Sequence, residues 1–263
     1  MARSVSRSSH AAYVLHGYDW SESSLILELF TRDHGRVAAV AKGAKRPYSQ
    51  LRPVLMPFQR LLVTFGARRS DDAEVWLVRQ AEWAGGEAWP GGAALLPGFY
   101  LNELLMRLLA RHDPHPALFD LYACVLRAMG DPSLLNPALR AFELALLRQL
   151  GHLPDLAHTT VDRQSVQADQ AHRLHPEMGV VRLPELVAGE PGATGLPALP
   201  GGSLCAIEQA LEGEGEGAFA ALMAACLPVQ GELKAILRTL IHYHLGSQSL
   251  RTRQLMVELQ QQT

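Results

Sequence analysis

Lysine is almost missing from this chain. Three of its 24 basic residues are Lys and the remainder are Arg. Cysteine is scarce too: Cys124, Cys205 and Cys226 are odd in number and far apart. That spacing excludes a disulfide framework and any C-x-x-C zinc pair. Each lies in an apolar, helix-like context, which points to buried thiols in a reducing cytoplasm. No apolar run approaches the length needed to span a bilayer, so no membrane partner is expected. The N-terminal MARSVSRSSH has charge but no apolar segment after it, which excludes a secretory signal. The nucleotide-binding, nucleophile-elbow and zincin motifs G-x-x-x-x-G-K-[ST], G-x-G-x-x-G, G-x-S-x-G and H-E-x-x-H are all absent. The pairs Asp71–Asp72 and Glu212–Glu214 fall in turn-like stretches and read as solvated. No catalytic residue, metal or cofactor is assigned, and an enzyme is not expected.

Acidic residues are also scarce at the front of the chain. Residues 1–69 hold eleven of 24 Lys and Arg but four of 26 Asp and Glu, giving +7, against −9 for the rest. A nearly neutral chain is therefore a basic front on an acidic back. Lys42, Lys45 and Arg46 crowd into VAKGAKRPYSQLRP (Val40–Pro53) beside Gly43, Pro47 and Tyr48. Such a concentration suits a surface that meets a polyanion, most simply nucleic acid.

The first 83 residues read as β structure. Ala11–Tyr18, Ser23–Thr31, Gly35–Ala41, Phe58–Gly66 and Glu74–Trp83 are short runs rich in β-branched and aromatic residues. RDHG (Arg32–Gly35) joins the second and third as a hairpin, and GARRSDD (residues 66–72) reads as another. Five strands and one long basic loop fit an OB-fold barrel, and a small SH3-like barrel reads much the same. The Gly- and Pro-rich stretch Ala84–Gly98 then marks a boundary. Helical spacing follows over Phe99–His112, Ala117–Met129 and Pro137–Gly151, and the short links imply an antiparallel bundle. Residues 152–202 read as an irregular insert with room for a hairpin. Helices return over Ser203–Glu212, Ala218–Leu227, Gly231–Gly246 and Ser249–Gln260, with EGEGEG (Glu212–Gly217) as an acidic turn. The expected class is α+β: a barrel domain over 1–83, a helical domain over 84–151 and 203–263, and the insert between its parts.

Arg36, Lys42, Lys45, Arg46, Arg52 and Arg60 could line a groove that tracks a phosphate backbone, with Tyr48 stacking on a base. The plainer alternative is a solvated loop. Guanidinium forks favour phosphate over a point-charge role. His152, His158, His172 and His175 cluster in the insert, but without cysteines nearby they read as surface residues. Arg140 lies beside an apolar stripe of Phe142, Leu146 and Leu150. A cation beside an apolar groove can hold a peptide that ends in aromatic side chains and a carboxylate. An amphipathic helix with a rim arginine is the plainer alternative there.

Val14–Gly66 resembles the N-terminal domain of the RecO family of bacterial DNA repair proteins. The resemblance rests on the Glu22–Leu27 region, LFT, G-R-V, AKGAKR and L-x-PF, in family order. Gly98–Leu109 and Leu139–Gly151 resemble the family's helical domain, so about half of the chain is covered. The resemblance implies an OB-fold followed by a helical domain. It implies binding of single- and double-stranded DNA, annealing of complementary strands and help in loading the RecA recombinase in the RecF pathway. The implied partners are RecR and the acidic, Phe-ended tail of the single-stranded DNA-binding protein, with Arg140 near the tail's pocket and Phe142 on the apolar stripe beside it. The implied location is the cytoplasm, at the nucleoid during repair. Many members carry two C-x-x-C zinc pairs. Thr159 and Asp162 stand at the first pair's positions and Arg182 and Glu185 near the second, so the zinc module is expected to be absent. A protein adaptor that uses the basic barrel to meet an acidic partner is the rival reading, and a nuclease a weaker one.

Overall fold

The computed structural model describes residues 8–66, 74–85, 91–183, 195–213, 215–246 and 250–261. Most of the turn expected over 66–72, and Glu185, lie outside them. Five strands close a barrel: β1 (Ser9–Asp19), β2 (Leu25–Thr31), β3 (Gly35–Ala41), β4 (Arg60–Phe65) and β5 (Val75–Trp83). Their order is β1-β2-β3-β5-β4, with β4 returning to β1 and β3 parallel to β5. That order is the OB-fold solution rather than a meander. Alternate residues such as Val14, Leu27, Leu29, Val37, Ala39, Leu61, Val63 and Trp76 fill the interior. The period of two therefore sends Tyr13, Glu28, Phe30 and Arg36 to the outer face.

One residue breaks the period in β1. Val14 faces Leu29 and His16 faces Glu28, so Leu15 is an extra residue, a β-bulge. The bulge leaves the Leu15 carbonyl outside the ladder. Asn102 on α1 (Leu95–Leu108) satisfies it, donating from Nδ2 at 2.9 Å. Tyr122 on α2 (Pro116–Ala128) donates in turn to Asn102 Oδ1. Burial is the main cause that pushes the Tyr122 hydroxyl well above its ordinary pKa, which keeps it a donor. A bulge also re-aims the side chains beyond it. Here it turns Gly17 inward, towards Leu27, and sends His16 and Tyr18 outward.

Packing divides the chain into two compact units, residues 1–130 with 252–263 and residues 131–251. In the first, Phe119 and Tyr122 of α2 pack on Tyr13 and Phe30 of the barrel's outer face, with ring centroids 4.9–6.3 Å apart. Such pairs add to the plain burial of aromatic area. The closing helix α7 (Arg251–Gln261) starts on Glu103 of α1, which accepts from Thr252 N and Oγ1.

The second unit holds α3 (Leu135–Gln149), α4 (Gly201–Leu211), α5 (Gly215–Cys226) and α6 (Gln230–Leu245). α3 packs on α5 and α6. The short links suggested one antiparallel three-helix bundle. Instead α1 and α2 bury their apolar sides on the barrel, and α3 buries its own among helices that come later in the chain. The insert is more regular than its composition suggested. β6 (Ala171–His175), β7 (Gly179–Arg182) and β8 (Leu199–Pro200) form a three-stranded sheet with β6 in the middle. Part of the acidic EGEGEG tract is helical, since α5 begins at Gly215.

The helical run Gly217–Leu245 is long and apolar enough to cross a membrane. It is interrupted by a short 3-10 turn at Leu227–Val229, and Phe219, Leu222, Leu233, Ile236, Leu237, Leu240 and Ile241 are buried inside the unit. That is the pattern of amphipathic helices packed along one side.

Candidate nucleic-acid interface

The basic loop between β3 and β4 is built, not slack. Backbone N–H groups of Arg46, Ser49 and Arg52 donate to the carbonyls three residues earlier, at Gly43, Arg46 and Ser49. Gly43 opens the series at φ +71°, a conformation glycine adopts without a Cβ penalty. Ala44 and Leu55 are buried, and Leu51 and Val54 pack against the same barrel core. Phe58 closes the loop at φ +68°, an unusual value for a bulky residue, held by α1. Its ring meets Phe99 at 5.0 Å, and a Cβ on Gly98 would come within 3.0 Å of it. With the apolar side chains used as anchors, Lys42, Arg46, Tyr48 and Arg52 are left pointing to solvent. Tyr48 is 94% exposed.

The loop is also sewn to the β1–β2 turn. Lys45 N donates to Ser23 O at 3.0 Å, Gly43 N to Ser24 Oγ at 3.4 Å and Lys45 Nζ to Ser21 O at 3.2 Å. Lys45 Nζ also lies 3.1 Å from Asp19 Oδ1. Loop and turn thus form one ledge at the end of the barrel. Trp20 sits in that turn and is 64% exposed.

The sequence grouped seven residues as DNA-facing, and the structure distributes them. Lys42, Arg46, Tyr48 and Arg52 share the exposed loop. Lys45 is half-buried and ties the ledge together. Arg60 opens β4 and is exposed on the barrel's outer side, opposite Tyr13 in the register. Arg36 is set apart. Its Nη1 lies 3.5 Å from Oε2 of Glu28, which is buried and also contacts Arg111. Burial lowers the Arg36 pKa, opposed by the attraction of Glu28. Among the described residues no acid comes within ion-pair distance of Lys42, Arg46, Arg52 or Arg60.

Arg140 and Phe142 are placed differently from an open peptide pocket. Phe142 is fully buried and packs the core of its unit. The Arg140 side chain is 11% exposed and its Nη2 donates to Glu143 Oε1 at 2.9 Å. The i, i+3 spacing turns both inward on one helix face. Cys226 lies near them, its thiol pushed by burial up to about 12 and so inert as a nucleophile at neutral pH. Cys124 and Cys205 are half-buried rather than buried.

The residues at the zinc-pair positions do not fit the metal. The Thr159 hydroxyl donates to Asp162 and accepts from Gln164 N at 3.0 Å. Arg182 Nη2 donates to Gln164 Oε1 at 2.7 Å, which sets a cation beside the same turn. Among the described residues no group of three or more His, Cys, Asp or Glu could hold a metal ion.

Comparison with known proteins agrees with this architecture. Residues 5–85 match the family model described as Recombination protein O N terminal, and residues 92–254 the one described as Recombination protein O C terminal. The chain is 49% identical over 262 residues to the DNA repair protein RecO of Verminephrobacter eiseniae, covering 99% of each chain. It is 48% identical over 255 residues to that of Polaromonas naphthalenivorans, covering 96% of this chain and 97% of the relative. The RecO of Albidiferax ferrireducens is 47% identical over 255 residues, covering 96% of each.

Proposed function

This chain belongs to the RecO family of DNA repair proteins, and we propose that it acts as a cytoplasmic, non-enzymatic recombination mediator. It binds single- and double-stranded DNA, anneals complementary strands and helps load the RecA recombinase in the RecF pathway. The observation that carries this reading is the exposed loop whose Lys42, Arg46 and Arg52 have no acid within reach among the described residues. Cations held rigidly without internal partners attract phosphates and release counterions on contact. Annealing follows from the same property. Neutralising two backbones lets complementary strands approach, and no catalytic group is required. RecR and the acidic tail of the single-stranded DNA-binding protein are the proposed protein partners. A tail carboxylate reaching Arg140 must compete with Glu143 for it.

Fluorescence anisotropy with a labelled oligonucleotide tests the DNA reading. Binding should weaken steeply with salt. A protein adaptor would show no salt-dependent DNA binding, and a nuclease would cleave the probe when magnesium is added. Titration with a synthetic tail peptide tests the second site. Arg140→Ala should weaken peptide binding there, and unchanged affinity removes Arg140 from it.

A further inference from the structure

Three of the five exposed aromatic rings among the described residues lie where the loop cations gather. Tyr18 and Trp20 are 48% and 64% exposed, at the end of β1 and in the turn after it. Tyr48 stands on the loop to which this turn is hydrogen-bonded. Ordinary packing would bury such rings, and each one left in water forgoes the burial of a large apolar area.

Their placement has a structural cause. In an unbroken β1, Tyr18 would face the barrel interior. The bulge at Leu15 sends it outward, opposite Ile26, which is itself opposite Val40. Residues opposite one another in register share a face, so Tyr18, Ile26 and Val40 make a shallow, partly apolar strip across the outer β1–β2–β3 surface. The strip is a single cross-strand row at the ledge end of these strands. Trp20 stands at its open end. Its backbone N–H donates to Ser24 O at 3.2 Å, which fixes the turn, while the indole is left in solvent. Lys45 bonds to the residues on both sides of Trp20, namely Asp19 and Ser21. The phosphate-attracting loop and the indole are therefore parts of one hydrogen-bonded piece.

We propose that Trp20, with Tyr18 beside it, is a stacking platform for unpaired nucleobases and gives this surface a preference for single strands over duplex. This rests on the DNA-binding reading above. An indole face accepts any base, so the platform is indifferent to sequence. In a duplex the bases are already stacked on one another and cannot reach the ring, whereas the phosphates remain available to the loop. The two features divide the work: cations hold any backbone and the rings select strands with free bases. The outer face of strands 2 and 3, with the loop between strands 1 and 2, is also where barrels of this topology take oligonucleotides.

The experiment compares the full chain with Trp20→Ala and Trp20→Phe. Each is titrated against a labelled oligothymidylate and a labelled blunt duplex at several salt concentrations. Trp20→Ala should weaken single-strand binding at least about fivefold, the low end for losing one stacked base. The slope of log K against log salt should not change, because no charge is lost. Duplex affinity should stay within about twofold, and Trp20→Phe should restore most single-strand affinity. Unaltered thermal unfolding would show that the effect is local. Equal losses for both probes, or no loss for either, overturn the platform while the loop reading stands. A wild-type chain with no salt-dependent DNA binding overturns both.

Discussion

The two units use the same residue type in opposite ways. On the ledge of the first, Lys42, Arg46 and Arg52 face solvent with no described acid within reach. In the second, Arg148 donates from both terminal nitrogens to Glu208, at 2.7 and 2.5 Å, and also to Pro154 O. Arg140 is likewise turned inward onto Glu143. A guanidinium whose donors are taken by a buried carboxylate is a structural pin. One left unsatisfied on a rigid loop is free for a ligand. The first unit holds both kinds, since Arg36 and Arg111 share the buried Glu28. Net charge alone does not separate the two uses, but the partner of each cation does.

The division breaks if a pin turns out to bind DNA, or a loop cation turns out to hold the fold. The largest expected effect is on Glu208. Its carboxylate also accepts from Leu156 N at 2.9 Å, so Glu208→Ala leaves a guanidinium and a backbone donor without their acceptor. The cost should be about 3 kcal/mol of stability, read by denaturant unfolding, with oligonucleotide affinity unchanged. Next comes Glu28→Gln, which removes the charge between Arg36 and Arg111. About 2 kcal/mol is expected, between an exposed and a fully buried pair, again without a change in the DNA salt slope. A shallower slope in Arg36→Ala would return Arg36 to the interface.

The smallest effect concerns pH. The hydrogen bond from Thr159 is the main cause that holds the Asp162 carboxyl below its ordinary pKa. A folded-state value below the unfolded one stabilises at pH above the unfolded value and is lost as pH falls through the folded one. The stability of wild type over Asp162→Asn should therefore shrink as pH drops below about 4. A difference that stays constant down to about pH 2 would mean that the Thr159 contact is not made.

Much of the barrel was legible because its residues obey local rules. Short apolar runs with β-branched and aromatic residues mark all five strands, and Gly43 and Pro47 mark the loop. The bulge was not legible. One extra residue inside VLHG looks like ordinary alternation until the partner strand fixes the register. The pins were hidden for a different reason: Glu28 and Arg111 lie 83 positions apart, and Arg148 and Glu208 lie 60 apart. The Arg140–Glu143 pair was available, because i, i+3 spacing puts both on one helix face, but the neighbouring apolar stripe suggests a rim arginine just as well. Trp20 also left a signal, a large aromatic ring inside the polar run DWSESS. The sheet in 171–200 was obscured by Pro, Gly and His, which punctuate short strands as readily as loops.

The central claim is that the loop cations form a phosphate surface. The direct test is the salt dependence of single-strand binding in the full chain and in a variant with Lys42→Glu, Arg46→Glu and Arg52→Glu. Losing three phosphate contacts should make the log–log slope shallower by about 2, at about 0.7 for each contact, with a large fall in low-salt affinity and an unchanged unfolding curve. The same slope and affinity in both proteins would contradict that claim.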